Sequence, residues 1–157
     1  MSVSGIGVLI IGESGTGKSD CAFDLIARGH SLVADDVVEI ERNAGTLLGR
    51  SPKRFAGLIN IRRLGLVDVR HLYSEHAFVQ ELGIDLIVEL NDAEAEDQEK
   101  YCKIAGLELP KFTFRANSPR NLPLLIETAV KMVRDRKGDL TGRVFSAHNI
   151  LASATAK

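Results

Sequence analysis

At 157 residues and 17.1 kDa the chain lies in the one-domain range, long enough to bury a continuous core and too short for two independent domains. Hydrophobic residues at 45% and charged residues at 26% exclude extended disorder over most of its length. Twenty basic against twenty-one acidic residues leave a net charge of −1 with no long run of Lys or Arg, which argues against a nucleic-acid partner.

Residues 3–11 are rich in Val, Ile and Leu and stop at a glycine-rich turn, a pattern that predicts a central strand buried on both faces. The apolar part, 6–11, is too short to cross a bilayer and has no basic segment or small-residue cleavage site ahead of it. A cytoplasmic protein with no membrane partner is expected. Over 19–28, Ala22, Phe23, Leu25 and Ile26 recur at helical spacing, and Gly29 follows where a helix needs a left-handed terminal residue. Residues 32–34 read as a short strand running into Asp35 and Asp36. Asn43-Ala44-Gly45 then separates 37–42 from 46–48 as a hairpin turn.

Residues 58–68 set Asn60, Arg62, Arg63 and Gly65 in an apolar background, which predicts a strand, a mobile turn and a second strand. Residues 84–90 read as a strand despite Asp85 and Glu89. The acids after it, Asp92, Glu94, Glu96, Asp97 and Glu99, read as a solvated loop or a helix start. A strand at 111–115 precedes one apolar helical stripe, Leu122, Leu125, Ile126, Ala129, Val130 and Val133, ending near Gly138. Residues 139–157 are weakly patterned, either a docking tail or a frayed end. The expected organisation is one α/β domain over 1–138 and a tail over 139–157, with a mixed sheet because the turn at Asn43-Ala44-Gly45 implies an antiparallel pair. Cys21 and Cys102 lack both a disulfide framework and metal-ligand spacing and read as buried or incidental thiols.

The octapeptide GESGTGKS, residues 12–19, has two glycines separated by four residues and followed by Lys and Ser. Glycines let consecutive backbone amides turn inward around phosphate oxygens, the Lys ammonium reaches the outer phosphates, and the hydroxyl ligates magnesium. A plain glycine-rich turn is the bland alternative. The apolar strand before the loop and the amphipathic helix after it favour a polyphosphate site formed by Gly12, Glu13, Ser14, Gly15, Thr16, Gly17, Lys18 and Ser19. Asp35 and Asp36 follow a short strand, which puts at least one at the carboxyl end of the sheet beside the loop. That location suits holding magnesium or accepting a proton from an incoming hydroxyl. Capping of a turn is the alternative. His30 reads as a helix-end cation or a packed edge, and His71, His76 and His148 make no ligand set. Arg62, Arg63, Arg115 and Arg120 are candidates for phosphate contacts, each also readable as a solvated surface residue.

These residues together resemble the catalytic domain of the HPr kinase/phosphorylase family, bacterial enzymes that act on a serine of the phosphocarrier protein HPr. Three blocks carry the resemblance: GVLIIGESGTGKSDCAFDLIARGHSLVADDVVEI (7–40), LINIRRLGLVDV (58–69), similar to the family's signature loop, and SPRNLPLLIE (118–127). The resemblance implies a phosphoenolpyruvate-carboxykinase-like mixed sheet carrying the phosphate loop. It also implies an ATP- and magnesium-dependent serine kinase that regulates carbohydrate metabolism and can remove the phosphate by phosphorolysis, acting on HPr or a homologue. On this resemblance Asp36 is the base and Lys18 steadies the transferred group. Ser19, Asp35 and Asn60 hold magnesium, and Arg120 serves the reverse reaction. A hexameric homo-oligomer is implied as well.

Several positions depart from the family pattern. Its catalytic His on the strand before the loop has no counterpart ahead of Gly12, and its amino-terminal regulatory domain has none either, which reads as a trimmed or short form. The signature loop's metal-binding Glu falls at Asn60, and a Gly falls at Arg63. Lys103 is the nearest substitute for an Arg ahead of the last strand, and Asn117 aligns with the first Arg of the later motif. The loss of the His and the Glu motivates the alternative of a catalytically impaired nucleotide-binding module, and a small-molecule kinase or nucleoside-triphosphate hydrolase built on a similar loop is a third reading.

Overall fold

A computed structural model of the chain describes residues 1–92, 100–116 and 121–138. The strand expected over 3–11 is a hairpin, β1 (Ser2–Val3) and β2 (Ile6–Gly12), because Ser4 and Gly5 both adopt positive φ, 51° and 80°. Two successive left-handed residues make the tight turn whose twist matches antiparallel strands. The run 84–90 is likewise divided, into β7 (Glu81–Ile84) and β8 (Leu86–Asn91). Asp85 marks the division. Its main-chain NH donates to the Gly7 carbonyl at 2.8 Å and its carboxylate accepts from the Gly7 NH at 3.1 Å, so the chain leaves one sheet and enters another there.

The larger sheet has five strands in the order β1-β2-β8-β10-β9, with β9 at Tyr101–Ile104 and β10 at Leu107–Arg115. Its centre, β2-β8-β10, is parallel, and antiparallel β1 and β9 edge it on either side. Thus β8 is the middle strand and β2 its neighbour. The sheet is mixed, as expected, but for a different reason. The Asn43-Ala44-Gly45 turn joins β3 (Glu39–Asn43) to β4 (Thr46–Arg50) in a separate three-stranded sheet, β3-β4-β7. Residues 32–34 form no ladder: Leu32 makes only an isolated parallel bridge to Phe78. The reading of 58–68 as strand, turn and strand corresponds to the hairpin β5 (Leu58–Ile61) and β6 (Gly65–Asp68). The acids at 94, 96, 97 and 99 and the tail at 139–157 lie outside the described residues.

Helix α1 (Lys18–Ala27) is packed on two sides. Cys21 and Leu25 face a core built from Val8, Leu86, Val88 and Leu90 of the sheet and from Ile126, Ala129, Val130 and Val133 of the long helix, Leu122–Gly138. Ala22 and Ile26 face a second core of Leu32, Ile59, Ile61, Val69 and Ala77. Val69 opens a short helix, α2 (Val69–Leu72), which makes the long helix α3. The helical stripe predicted for α3 is the buried one. Leu25, Ile59 and Ile126 are fully buried, each contributing about 1.5–3 kcal/mol of transfer free energy. The end of α1 is a left-handed cap as expected: Gly29 has φ 91°, its NH donates to the Ile26 carbonyl, and the His30 NH donates to the Leu25 carbonyl.

Candidate functional site

The phosphate loop leaves the sheet at Gly12, the last residue of β2, and enters α1 at Lys18. Gly12, Gly15 and Gly17 take φ of 149°, 86° and 83°. Gly12 is also required by space, since a Cβ there would be driven into the Leu90 carbonyl oxygen of β8, whereas Gly15 and Gly17 have open space around them. Buried Thr16 braces the loop from inside, its hydroxyl donating to the Glu13 carbonyl at 2.8 Å. Gly17 is the N-cap and offers no side chain, so no side-chain acceptor caps the first turn of α1. The uncapped N–H groups and the positive end of the helix dipole favour an anion at this point. Lys18 donates to the carbonyls of Gly12 and Glu13 at 2.9 and 2.7 Å, which leaves one of its three N–H donors for a phosphate oxygen.

The structure brings Ser19, Asp35 and Asn60 together. The Ser19 hydroxyl donates to Asp35 Oδ1 at 2.8 Å, and the Asn60 main-chain NH donates to Asp35 Oδ2 at 2.9 Å. Asp35 therefore ties the start of α1 to the β5–β6 hairpin, and the contact of Asn60 with it is through backbone. A hydroxyl and one carboxylate are hard oxygen donors. Among the described residues no cluster of three or more His, Cys, Asp or Glu side chains forms a metal cage. A cation here would need phosphate oxygens to complete its shell, the arrangement that suits magnesium.

Asp36 differs from its neighbour. It is exposed and, among the described residues, makes no hydrogen bond or ion pair. With Lys18, Ser19 and Asp35 it lines a cleft of about 360 Å³ whose inner wall is apolar, formed by Leu9 and Ile11 of β2 facing Ile40, Leu82 and Ile84 of the smaller sheet. A carboxylate in water at the rim of an apolar cleft, beside a phosphate loop, is placed to take a proton from a hydroxyl entering from outside.

The other candidates lie elsewhere. Arg62 and Arg63 are exposed in the β5–β6 turn, Arg63 at φ 75°, and Arg115 is the last residue of β10. Arg120 and Asn117 lie outside the described residues. Lys103 is on edge strand β9. His30 is a packed edge, with Nε2 2.9 Å from Glu127 Oε1. Glu127 on α3 also accepts from Arg28 Nε and Nη2 at 2.8 and 2.6 Å, clasping the carboxyl end of α1. The two Arg28 bonds, then the His30 contact, hold the Glu127 carboxyl down at about 2. Glu127 ends the block SPRNLPLLIE, but nothing local in the sequence pairs it with the Arg28-Gly29-His30 turn.

The sequence profile of the HPr serine kinase C-terminal domain matches residues 1–147. The chain belongs to that family. The HPr kinase/phosphorylase of Clostridium beijerinckii is 41% identical over 136 residues, covering 82% of this chain and 45% of that protein. The Bordetella pertussis HPr kinase/phosphorylase is 41% identical over 139 residues, covering 83% of this chain and 45% of its own length. The chain thus spans about half the length of the curated relatives it matches. The solved structure of the HPr(Ser) kinase/phosphatase from Coxiella burnetii superposes with a TM-score of 0.80 at 34% identity, covering 88% of each chain. The mixed α/β architecture is accordingly that of the HPr serine kinase catalytic domain. The phosphate loop, the aspartate pair and the β5–β6 hairpin all fall within the residues matched to the family. Among the described residues no helix is long and apolar enough to cross a membrane.

Proposed function

We propose that the chain transfers the terminal phosphoryl group of ATP to a serine hydroxyl of an HPr-type phosphocarrier protein, and that it also runs the reverse phosphorolysis. The observation that carries this reading is the division of labour between two adjacent carboxylates. Asp35 is held by Ser19 and Asn60, while Asp36 stands without a partner at the rim of the same cleft. Family membership and the naming of the relatives as kinase/phosphorylases support it.

In the forward direction the β- and γ-phosphates lie in the loop amides from Gly12 to Ser19, and Lys18 places its remaining N–H on the transferred group. The serine oxygen attacks the γ-phosphorus, the bond from that phosphorus to the bridging oxygen of ADP breaks, and the serine proton passes to the Asp36 carboxylate. In phosphorolysis an oxygen of inorganic phosphate attacks the phosphorus of the phosphoserine, the bond from that phosphorus to the serine oxygen breaks, Asp36 gives its proton to the departing serine oxygen, and pyrophosphate is the product. Magnesium, held by Ser19 and Asp35 with the Asn60 side chain as a neutral third donor, would neutralise charge on the phosphates. Arg120 is assigned to the reverse reaction, and the active assembly to a cytoplasmic homo-oligomer, a hexamer by family resemblance.

The test is Asp36→Asn, assayed by mass spectrometry of an HPr-type protein incubated with ATP and magnesium. Transfer is expected to fall by about 10²–10⁴-fold, the range of a lost general base, with ATP affinity within about twofold of the parent. A rate within about tenfold of the parent would exclude Asp36 as the base.

A further inference from the structure

The β5–β6 hairpin packs one face inward and shows the other to solvent. Ile59, Ile61 and Val67 pack on the second core, so by strand alternation Asn60 and its cross-strand partner Leu66 share the outward face. Leu64, in the turn, and Leu66 are the most exposed large apolar side chains among the described residues, at 68% and 65%. Arg62 and Arg63 stand in the same turn, both exposed, and among the described residues neither side chain makes a hydrogen bond or ion pair. Arg63 is also held at φ 75°, a left-handed conformation that strains any residue with a Cβ, at the position where the family pattern has Gly. No contact among the described residues offsets that strain.

Resting on the kinase reading above, we infer that this outward face is where the protein bearing the acceptor serine docks: Leu64 and Leu66 cover an apolar side chain beside that serine, and Arg63 pairs with a carboxylate near it. Position names the occupant. The Asn60 NH lies 2.9 Å from Asp35 Oδ2, and Leu66 is directly across the ladder from Asn60, about 5 Å away between Cβ atoms. A serine hydroxyl brought to Asp36, the next residue, therefore arrives beside the hairpin. A protein contact of standard size covers about 800 Å² on each partner, a patch roughly 16 Å in radius, so one centred on Asp36 takes in Asn60, Leu66 and the turn. A small free alcohol would need none of that surface. The chemistry points the same way, since exposed leucines gain by being covered and an arginine beside them matches the composition that protein contacts concentrate. The strained backbone at Arg63 then serves the complex, where its guanidinium has a partner, and not the fold.

The experiment measures steady-state transfer from ATP with magnesium to an HPr-type phosphocarrier protein, for the full chain and two variants. ATP titration by calorimetry, thermal melts and sedimentation accompany it. Leu66→Thr keeps strand propensity and removes the apolar contact, and Arg63→Gly removes the guanidinium while relieving the backbone. Each should raise KM for the phosphocarrier by about tenfold and leave kcat and ATP affinity within about twofold, the mark of lost substrate binding. Arg63→Gly should melt at or above the parent's temperature, which loss of a structural arginine would not give. The parent's KM should also rise with salt more steeply than that of Arg63→Gly. An unchanged KM in both variants, or a loss of ATP affinity equal to the rise in KM, overturns the docking face, while transfer by the parent keeps the kinase reading. Variants that sediment as smaller particles than the parent assign the face to contact between copies of the chain and overturn it as well. A parent that transfers nothing to the phosphocarrier refutes the kinase reading itself, and the docking face falls with it.

Discussion

Glu127→Gln is the sharpest test of how α1 is held. The carboxylate is mostly covered, 18% exposed, and receives two bonds from Arg28 at 2.8 and 2.6 Å, with His30 at 2.9 Å. Its carboxyl is lowered from 4.5 to about 2, chiefly by the Arg28 hydrogen bonds. Taken whole, a shift of that size corresponds to roughly 3 kcal/mol. Arg28 is 41% exposed, however, so solvent screens the pair and about 1–2 kcal/mol is the appropriate magnitude. Because the folded value lies below the unfolded one, this contribution is fully present above about pH 4.5 and is lost as pH falls towards 2. Gln keeps the shape and one acceptor oxygen but has no charge to titrate. Urea melts of parent and variant should therefore differ by about 1–2 kcal/mol at pH 7, a loss of roughly 3–6 °C in Tm, and the difference should shrink by about half or more at pH 3. A difference that stays constant from pH 5 to pH 2.5, or a variant as stable as the parent at neutral pH, would refute the reasoning.

Other consequences are equally direct. Gly12→Ala adds a clash with the β8 backbone to an unfavourable φ and should cost about 2–5 kcal/mol, whereas Gly15→Ala meets open space and should cost only the backbone strain, about 1–2 kcal/mol; thermal melts of the two variants would reverse this order if the steric argument were wrong. Asp35→Asn keeps an oxygen for the Asn60 NH but loses the charge beside Ser19. It should weaken magnesium-dependent ATP binding by about tenfold and leave metal-free binding unchanged, and equal effects with and without magnesium would refute a metal role. Burial, and then the nearby Asp24, push the Cys21 thiol up to about 12, so alkylation of the native protein at pH 8 should label the half-buried Cys102 first and Cys21 only on unfolding. Mass spectrometry showing Cys21 modified at the same rate as Cys102 would contradict that environment.

Much of this site was legible in the sequence because the chemistry is local. The loop, its flanking strand and helix, and the left-handed cap at Gly29 are all written within residues 6–29, where spacing alone fixes backbone geometry. The β3–β4 hairpin was legible for the same reason, through Ala44 and Gly45 at φ 45° and 85°. What failed was anything decided by distant partners. The apolar runs 3–11 and 84–90 look continuous, yet the first is folded back at Ser4 and Gly5, and the second changes sheets where Asp85 pairs with Gly7. Local pattern could not reveal that pairing, since the partners are 78 residues apart. Edge strand β9 escaped because Tyr101, Cys102, Lys103 and Ile104 show no strong alternation, and its strand character comes from pairing with β10. Glu127 was invisible as a contact for the same reason: its bonds span 97 and 99 residues.

The long-range contacts that the sequence hid converge on one element. Helix α1 presents uncapped N–H groups at its start and buries two adjacent stripes, Cys21 with Leu25 and Ala22 with Ile26, in two separate cores. Its far end is held to α3 through Glu127. The second core carries the β5–β6 hairpin, which reaches the loop again through the Asn60–Asp35–Ser19 bonds. Position and orientation of the phosphate-binding turn are therefore fixed from three directions, and rotation of α1 by even a fraction of a turn would disturb packing on both stripes together. Charge placement follows from the same geometry. Asp35 contacts Ser19 with one oxygen and the hairpin's Asn60 NH with the other, and Asp36, one residue on, is left at the rim facing solvent. A fold that fixes one carboxylate against the loop and leaves its neighbour free supplies both a binding group and a base from two consecutive residues.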